Sequence, residues 1–269
     1  MSDVSHAERR ARGLESLKKL RGTDDVTKAA QQLEDANGAL GSFVIDFALG
    51  DIWSRPGISR RDRSLIVISI LASLNQLTQL KAHVQGAINH GMTPDEVREV
   101  MIHLCGYAGF PRAMDAMRVT NEVLAEMGHA PKDGKLPPSA KQSQSERRKV
   151  GIEGIEKVSG NMFMESPENA VASAEKRLGA LAPYAFDFVY GDIWARPQLS
   201  RRDRSLLVCA SLGALGREHE LEIHIPGAFR HGVTRAEIDE FIVTLAAYAG
   251  FPFAVDATYV LMAHLAASK

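Results

Sequence analysis

Gly50 to Leu74 reads GDIWSRPGISRRDRSLIVISILASL, and Gly191 to Leu215 reads GDIWARPQLSRRDRSLLVCASLGAL. One chain has written the same segment twice. The correspondence continues at constant spacing: His83 with His224, His90 with His231, and Tyr107-Ala-Gly-Phe-Pro111 with Tyr248-Ala-Gly-Phe-Pro252. Upstream, Arg9-Arg10 precedes GLESLKKLRG as Arg147-Arg148 precedes GIEGIEKVSG, with a short insertion in the second copy before Phe188. The period is far longer than the roughly 20–50 residues of solenoid repeats, so each copy is expected to be a small domain and the two to form a pseudo-twofold pair. The boundaries read as residues 1–129 for the first copy, 130–146 for a linker rich in Pro, Lys, Ser and Gln, and 147–269 for the second.

Helical signals dominate both copies. Ser59 and Ser200 each precede an Asp by three residues, a cap followed by an apolar run too long for an ordinary strand. A second helix is expected over Gln79–His90 and Glu220–His231, ending at Gly91 and Gly232. Thr93-Pro94-Asp95-Glu96, matched by Thr234 with Glu237, reopens a helix that should run to Tyr107 or Tyr248. After Ala-Gly-Phe-Pro, a last helix is expected from Ala113 or Ala254. No alternating strand pattern occurs, so the fold class is all-α. The arginines of SRRDRS are expected to be solvated, Tyr107 and Tyr248 to be packing residues, and Met101 and Phe241 to lie in the core.

The composition excludes several functions. With 32 Lys+Arg against 33 Asp+Glu the formal charge is −1, so no global field recruits nucleic acid or an anionic membrane. The polar N-terminus lacks the apolar core of a signal peptide, and the run Leu65–Leu74 is too short for a bilayer. The two cysteines, Cys105 and Cys209, make no CxxC and are expected to be reduced and buried in a cytoplasmic protein.

Chemistry concentrates on one stripe. In GALGREHELEIHIPGAFRHG, beginning at Gly213, the residues Arg217, Glu220, His224 and His231 share a helix face. A carboxylate four residues before an imidazole can fix its tautomer and raise its basicity, as a general acid or base requires. Arg217 can hold a substrate carboxylate. The alternative is an ordinary ion-pair ladder on a solvated face. In the first copy, NQLTQLKAHVQGAINHG keeps His83 but has Gln76 and Gln79 where the second has Arg217 and Glu220. Trp194 with Arg196, and Trp53 with Arg55, can form an apolar wall with an anion-binding fork. Asp51 and Asp192 are expected to tie that loop down. No HExxH spacing occurs, and no metal is expected.

Together, IWxRPxLSRRDRSL, ALGREHELxIHxxxAxxxGVT and AxYAGFP resemble the carboxymuconolactone decarboxylase family, within the alkylhydroperoxidase D-like superfamily. The resemblance covers nearly all of both copies and is closer in the second. It implies an all-helical fold that assembles about a threefold axis, with a tandem chain forming a homotrimer of six domains. It also implies a lyase of aromatic-compound catabolism that removes carbon dioxide from a carboxylated unsaturated lactone. No cofactor is required, because the conjugated lactone carbonyl accepts the electrons. Carried over, His224 and Glu220 form the acid/base pair, His83 is the first copy's remnant, and Arg217 or Arg196 anchors the small carboxylate substrate. Trp194 and His231 line it. The peroxidase branch has CxxC where this chain has Arg217 and Glu220, which disfavours thiol redox chemistry. A non-catalytic or biosynthetic member is the remaining alternative.

Overall fold

The computed structural model describes residues 4–130, 138–160 and 166–267, and among them every regular element is helical. The first copy contains α1 (His6–Arg21), α2 (Val26–Asn37), α3 (Ala39–Phe43), a π-helical segment (Val44–Ile52), α4 (Arg60–Ser73), α5 (Leu77–Asn89), α6 (Pro94–Leu104) and α7 (Phe110–Glu126). The second repeats this order with α8 (Gln144–Ser159), α9 (Ala170–Leu178), α10 (Ala182–Tyr184), a π-helical segment (Ala185–Ile193), α11 (Arg201–Ala214), α12 (Glu218–Arg230), α13 (Arg235–Tyr248) and α14 (Phe251–Ala267). Residues 131–137 of the expected linker lie outside the described residues, and its last three are already in α8. No helix among the described residues is long and apolar enough to cross a membrane.

The starts follow from local chemistry. Ser59 and Ser200 accept hydrogen bonds from the backbone N–H of Asp62 and Asp203, and Thr93 and Thr234 form full capping boxes with Glu96 and Glu237. Gly91 and Gly232 take the positive φ that ends a helix, 97° and 87°. Two boundaries differ from expectation. α7 and α14 begin at Phe110 and Phe251, because Gly109 and Gly250 take positive φ immediately before them. α6 stops at Leu104, where Cys105 and Gly106 turn back with tighter i→i−3 bonds, whereas α13 continues to Tyr248.

Central helices α4 and α11 pack against each other across the pseudo-twofold, and every residue of Asp62–Ser73 and Asp203–Ala214 is buried. Their starts overturn the expectation of solvated arginines except at Arg201, which is exposed. Arg63 and Arg204 are 0% exposed, each bonded to a glutamate of the opposite copy. Arg61 bonds Asp203 at 3.0 Å, and Arg202 bonds Asp62 at 3.0 Å. Arginines that look solvated in one copy meet carboxylates only when the two copies dock. Met101 and Phe241 are in the core, as expected.

The π-helical segments precede the tryptophans and were not foreseen. Such stretches are rare and cluster at functional sites. Each lies tightly against the first helix of its copy: a Cβ at Gly13 would overlap the carbonyl oxygen of Ile45, and one at Gly151 that of Phe186.

Candidate active site

Each π-helical segment ends at a tryptophan, and the following helices enclose that ring. Trp53 lies between His83 and His90, with ring centroids 5.9 and 5.3 Å away. Trp194 lies likewise between His224 and His231, at 6.4 and 5.7 Å. The outer histidines are held from behind: His90 Nδ1 is 2.8 Å from the Ser64 hydroxyl, and His231 Nδ1 is 2.8 Å from that of Ser205. His231 therefore braces Trp194.

The other half of each site comes from the opposite copy. Trp53 Nε1 donates to the Tyr248 hydroxyl at 2.7 Å, and Trp194 Nε1 donates to the Tyr107 hydroxyl at 2.8 Å. Tyr107 meets His224 edge-on at 5.5 Å, as Tyr248 meets His83 at 5.2 Å. The Tyr248 hydroxyl is 3.4 Å from His83 Nε2. The expectation that these tyrosines only pack is corrected. Their retention in both copies was the available signal, but their tryptophan partners lie 87 and 195 residues away.

Arg55 and Arg196 also cross between copies. The Arg196 Nε bonds both oxygens of Glu99, at 3.0 and 2.8 Å, and Arg55 does the same to Glu240. The fork of Arg196, expected to hold substrate, is occupied by a buried carboxylate. Asp51 and Asp192 bond Arg9 and Arg147, so they tie the loop as expected.

The stripe on α12 separates into an inner and an outer part. His224 is 7% exposed, while Arg217 at the N-cap and Glu220 in the first turn are exposed. No Glu220–His224 hydrogen bond forms among the described residues, because the first turn of α12 projects beyond the packed aromatic cluster. The expected rise in basicity is reversed: burial pushes His224 down to about 3, helped by the nearby His231. His83 also falls to about 3, from burial and then from the fields of His90 and Arg21. Both act as neutral imidazoles, and half-buried Tyr107 and Tyr248 are held as neutral phenols by pKa values raised through desolvation. The arrangement offers neutral donors inside and ionisable groups at the rim.

In the first copy these residues border a cavity of about 400 Å³. Its walls are apolar, including Leu17, Leu49 and Leu71, and its polar lining is Arg21, Gln76, Gln79, His83 and Tyr248. Gln76 and Gln79 are the counterparts of Arg217 and Glu220, which are exposed at the start of α12. At the position of Leu49 stands Tyr190, whose ring stacks on Trp194 at 6.0 Å.

An acid response follows from buried His224 and the half-buried imidazoles of His83, His90 and His231. His90 and His231 are also lowered, to about 4, chiefly by burial. All four stay neutral in the folded chain while the unfolded chain takes up protons below the ordinary value of 6.5. Stability is therefore complete above about pH 6.5 and falls steadily towards about pH 4. Denaturant midpoints measured across that window should drop; a flat profile would contradict neutral burial.

Comparison with known proteins follows the same duplication. The model of the carboxymuconolactone decarboxylase family matches residues 38–122 and again 180–261. A 4-carboxymuconolactone decarboxylase of Acinetobacter baylyi is 36% identical over 128 residues, 48% of this chain and 96% of the relative. A nitrosuccinic acid decarboxylase of Metarhizium robertsii is 30% identical over 115 residues, 43% of this chain and 80% of the relative. The fold is shared with the crystal structure of a candidate gamma-carboxymuconolactone decarboxylase subunit from Burkholderia xenovorans LB400, at a TM-score of 0.55 and 20% identity, over 97% of this chain and 98% of that one.

Proposed function

This chain belongs to the carboxymuconolactone decarboxylase family, and from that membership we propose that it is a cofactor-free decarboxylase whose working site is the one around His224. The substrate class is an unsaturated lactone carboxylate or a related carboxylic acid. Two similar proteins are named as decarboxylases of different acids, so loss of carbon dioxide is the step they have in common.

The chemistry follows from the residues. The C–C bond to the carboxylate breaks, its electron pair moves through the double bond to the lactone carbonyl oxygen, and a proton returns to carbon. Arg217 anchors the carboxylate by its guanidinium fork. Neutral His224 and Tyr107 donate to the oxygen that gains charge, and they do so best where water is excluded. Trp194 forms the apolar wall. Glu220 at the rim supplies the proton. Arg196 has no substrate role, since Glu99 occupies it. Thiol chemistry is disfavoured a second time, because burial raises Cys105 to about 11 and Cys209 to about 12, away from the thiolate form.

The observation that carries this reading is that Arg217 and Glu220 stand where the first copy has Gln76 and Gln79, on stripes that share their histidines. Absorbance of muconolactone carboxylates with purified protein tests it. Glu220→Gln should lower turnover by about 10²-fold or more. Unchanged turnover in that variant would remove Glu220 from the mechanism, and a flat trace with the unaltered chain would remove the substrate class.

A trimer of these chains is part of the same proposal. Phe110 and Met114 on α7 are 56% and 69% exposed, and Phe251 and Tyr259 on α14 are 62% and 69% exposed. Phe110 stacks on Phe188 and Phe251 on Phe47, so each patch joins both copies. Exposed apolar patches of this kind mark contact surfaces, and two non-identical patches suit a ring. Light scattering should give three chains, and Met114→Glu with Tyr259→Glu should give one. A monomeric unaltered chain would refute the ring. A cytoplasmic location, supported by the two unpaired cysteines, completes the proposal.

A further inference from the structure

The first-copy cavity has not simply lost the second site's groups. Where the second copy has Arg217 and Glu220 at the rim, the first has the uncharged Gln76 and Gln79. A cation has appeared on another element instead. Arg21 closes α1 and lines the cavity, and its counterpart in the second copy is Ser159, whose hydroxyl is used up on the Ile155 carbonyl. The end of α1 is fastened in place: Asn89 Nδ2 donates to the Leu20 carbonyl at 2.9 Å, and Gln85 Nε2 to the Arg21 carbonyl at 3.5 Å. Neighbouring cations are engaged, Lys18 with Asp24 and Lys19 with Glu15, whereas Arg21 has no carboxylate partner among the described residues.

We propose that this cavity, bounded by Arg21, Gln76, Gln79, His83 and Tyr248, is a separate binding site for a small unsaturated or aromatic monocarboxylate, which it holds without turning it over. One guanidinium fork matches one carboxylate, and the two amides donate beside it. The apolar walls take the body of the ligand, and they disfavour a doubly charged phosphate, for which no second cation lines the site among the described residues. A cavity of about 400 Å³ lies within the range of small-molecule sites. Gln79 has no proton to move, so the ligand leaves unchanged. The absence of turnover rests on the role proposed for Glu220, whereas the binding of the carboxylate rests on Arg21 and the cavity alone.

Benzoate is the probe and benzamide its uncharged control, titrated by calorimetry into the full chain. Arg21→Gln, at an exposed helix end, should weaken one class of benzoate binding about ten- to a hundred-fold and leave benzamide unaffected. Trp53 and Trp194 are the chain's 2 tryptophans, so in Trp194→Phe the emission comes from Trp53, which stacks on His83. That emission should change with benzoate, and adding Arg21→Gln should abolish the change. An isotherm indifferent to Arg21→Gln, or Trp53 emission indifferent to millimolar benzoate, would overturn the proposal. Benzoate is read by binding alone, so a chain that decarboxylates nothing still gives a decisive answer here.

Discussion

Replacing Glu99 by alanine should destabilise the chain by about 3–5 kcal/mol, the cost of leaving a buried cation without its partner. Glu99 is 0% exposed at its side chain, as is Arg204, and the two are 2.9 Å apart. Arg196 holds the other edge of the same carboxylate, and His103 Nδ1 is 2.8 Å from the Arg204 guanidinium. Removing the glutamate strands two guanidiniums that belong to the second copy. The loss is a large part of the roughly 5–15 kcal/mol that holds a typical domain together. Denaturant unfolding checks it, with Glu122→Ala as the exposed control, expected to leave the midpoint in place because its partners Lys81 and Arg118 are on the surface. A Glu99→Ala midpoint equal to the control's would mean that the copies do not depend on these buried pairs. Glu240 makes the same bridge in the other direction, to Arg63 and Arg55.

The second large effect is on activity, and it crosses the chain. Tyr107→Phe should lower turnover at the His224 site by about 10²–10³-fold, the scale for removing one donor to a developing oxyanion. The ring keeps its packing against His103 and His224, and only the hydroxyl is lost. Trp194 Nε1 loses its acceptor, so the rate is compared well below the unfolding temperature and folding is checked by circular dichroism. A fall in kcat with little change in KM marks a group acting on the transition state; a preserved kcat would reduce Tyr107 to a wall. Tyr248→Phe changes the first cavity in the same way, so the pair of variants separates the two sites. The outcome also tests the structure, because a residue before the linker disables chemistry attributed to residues after it.

Much of this was legible in the chain itself. Duplication, helical class, the caps at Ser59, Ser200, Thr93 and Thr234, and the glycine stops at Gly91 and Gly232 rest on interactions within a few residues. Asp51 and Asp192 behaved as loop ties. Three readings failed for one reason. Arg63 and Arg204 looked solvated, Arg196 looked free and Tyr107 looked inert, because the partner of each lies in the other copy. The π-helical segments escaped too, since their backbone is set by contact with Gly13 and Gly151 rather than by a cap or a repeat period.

The amino-acid sequence by itself determined that two helical copies exist, that each keeps two histidines on its fifth-helix stripe, and that only the second sets Arg217 and Glu220 beside them. Those are local facts, carried by spacing and residue type. Tertiary structure alone decided that each Trp–His cluster is completed by a tyrosine from the opposite copy, and that the histidines are neutral. It also decided that a cation, Arg21 from α1, lines the first cavity. Docking the copies removes these groups from water and brings distant partners within hydrogen-bond reach, and desolvation and pairing, unlike helix periodicity, have no signature along the chain.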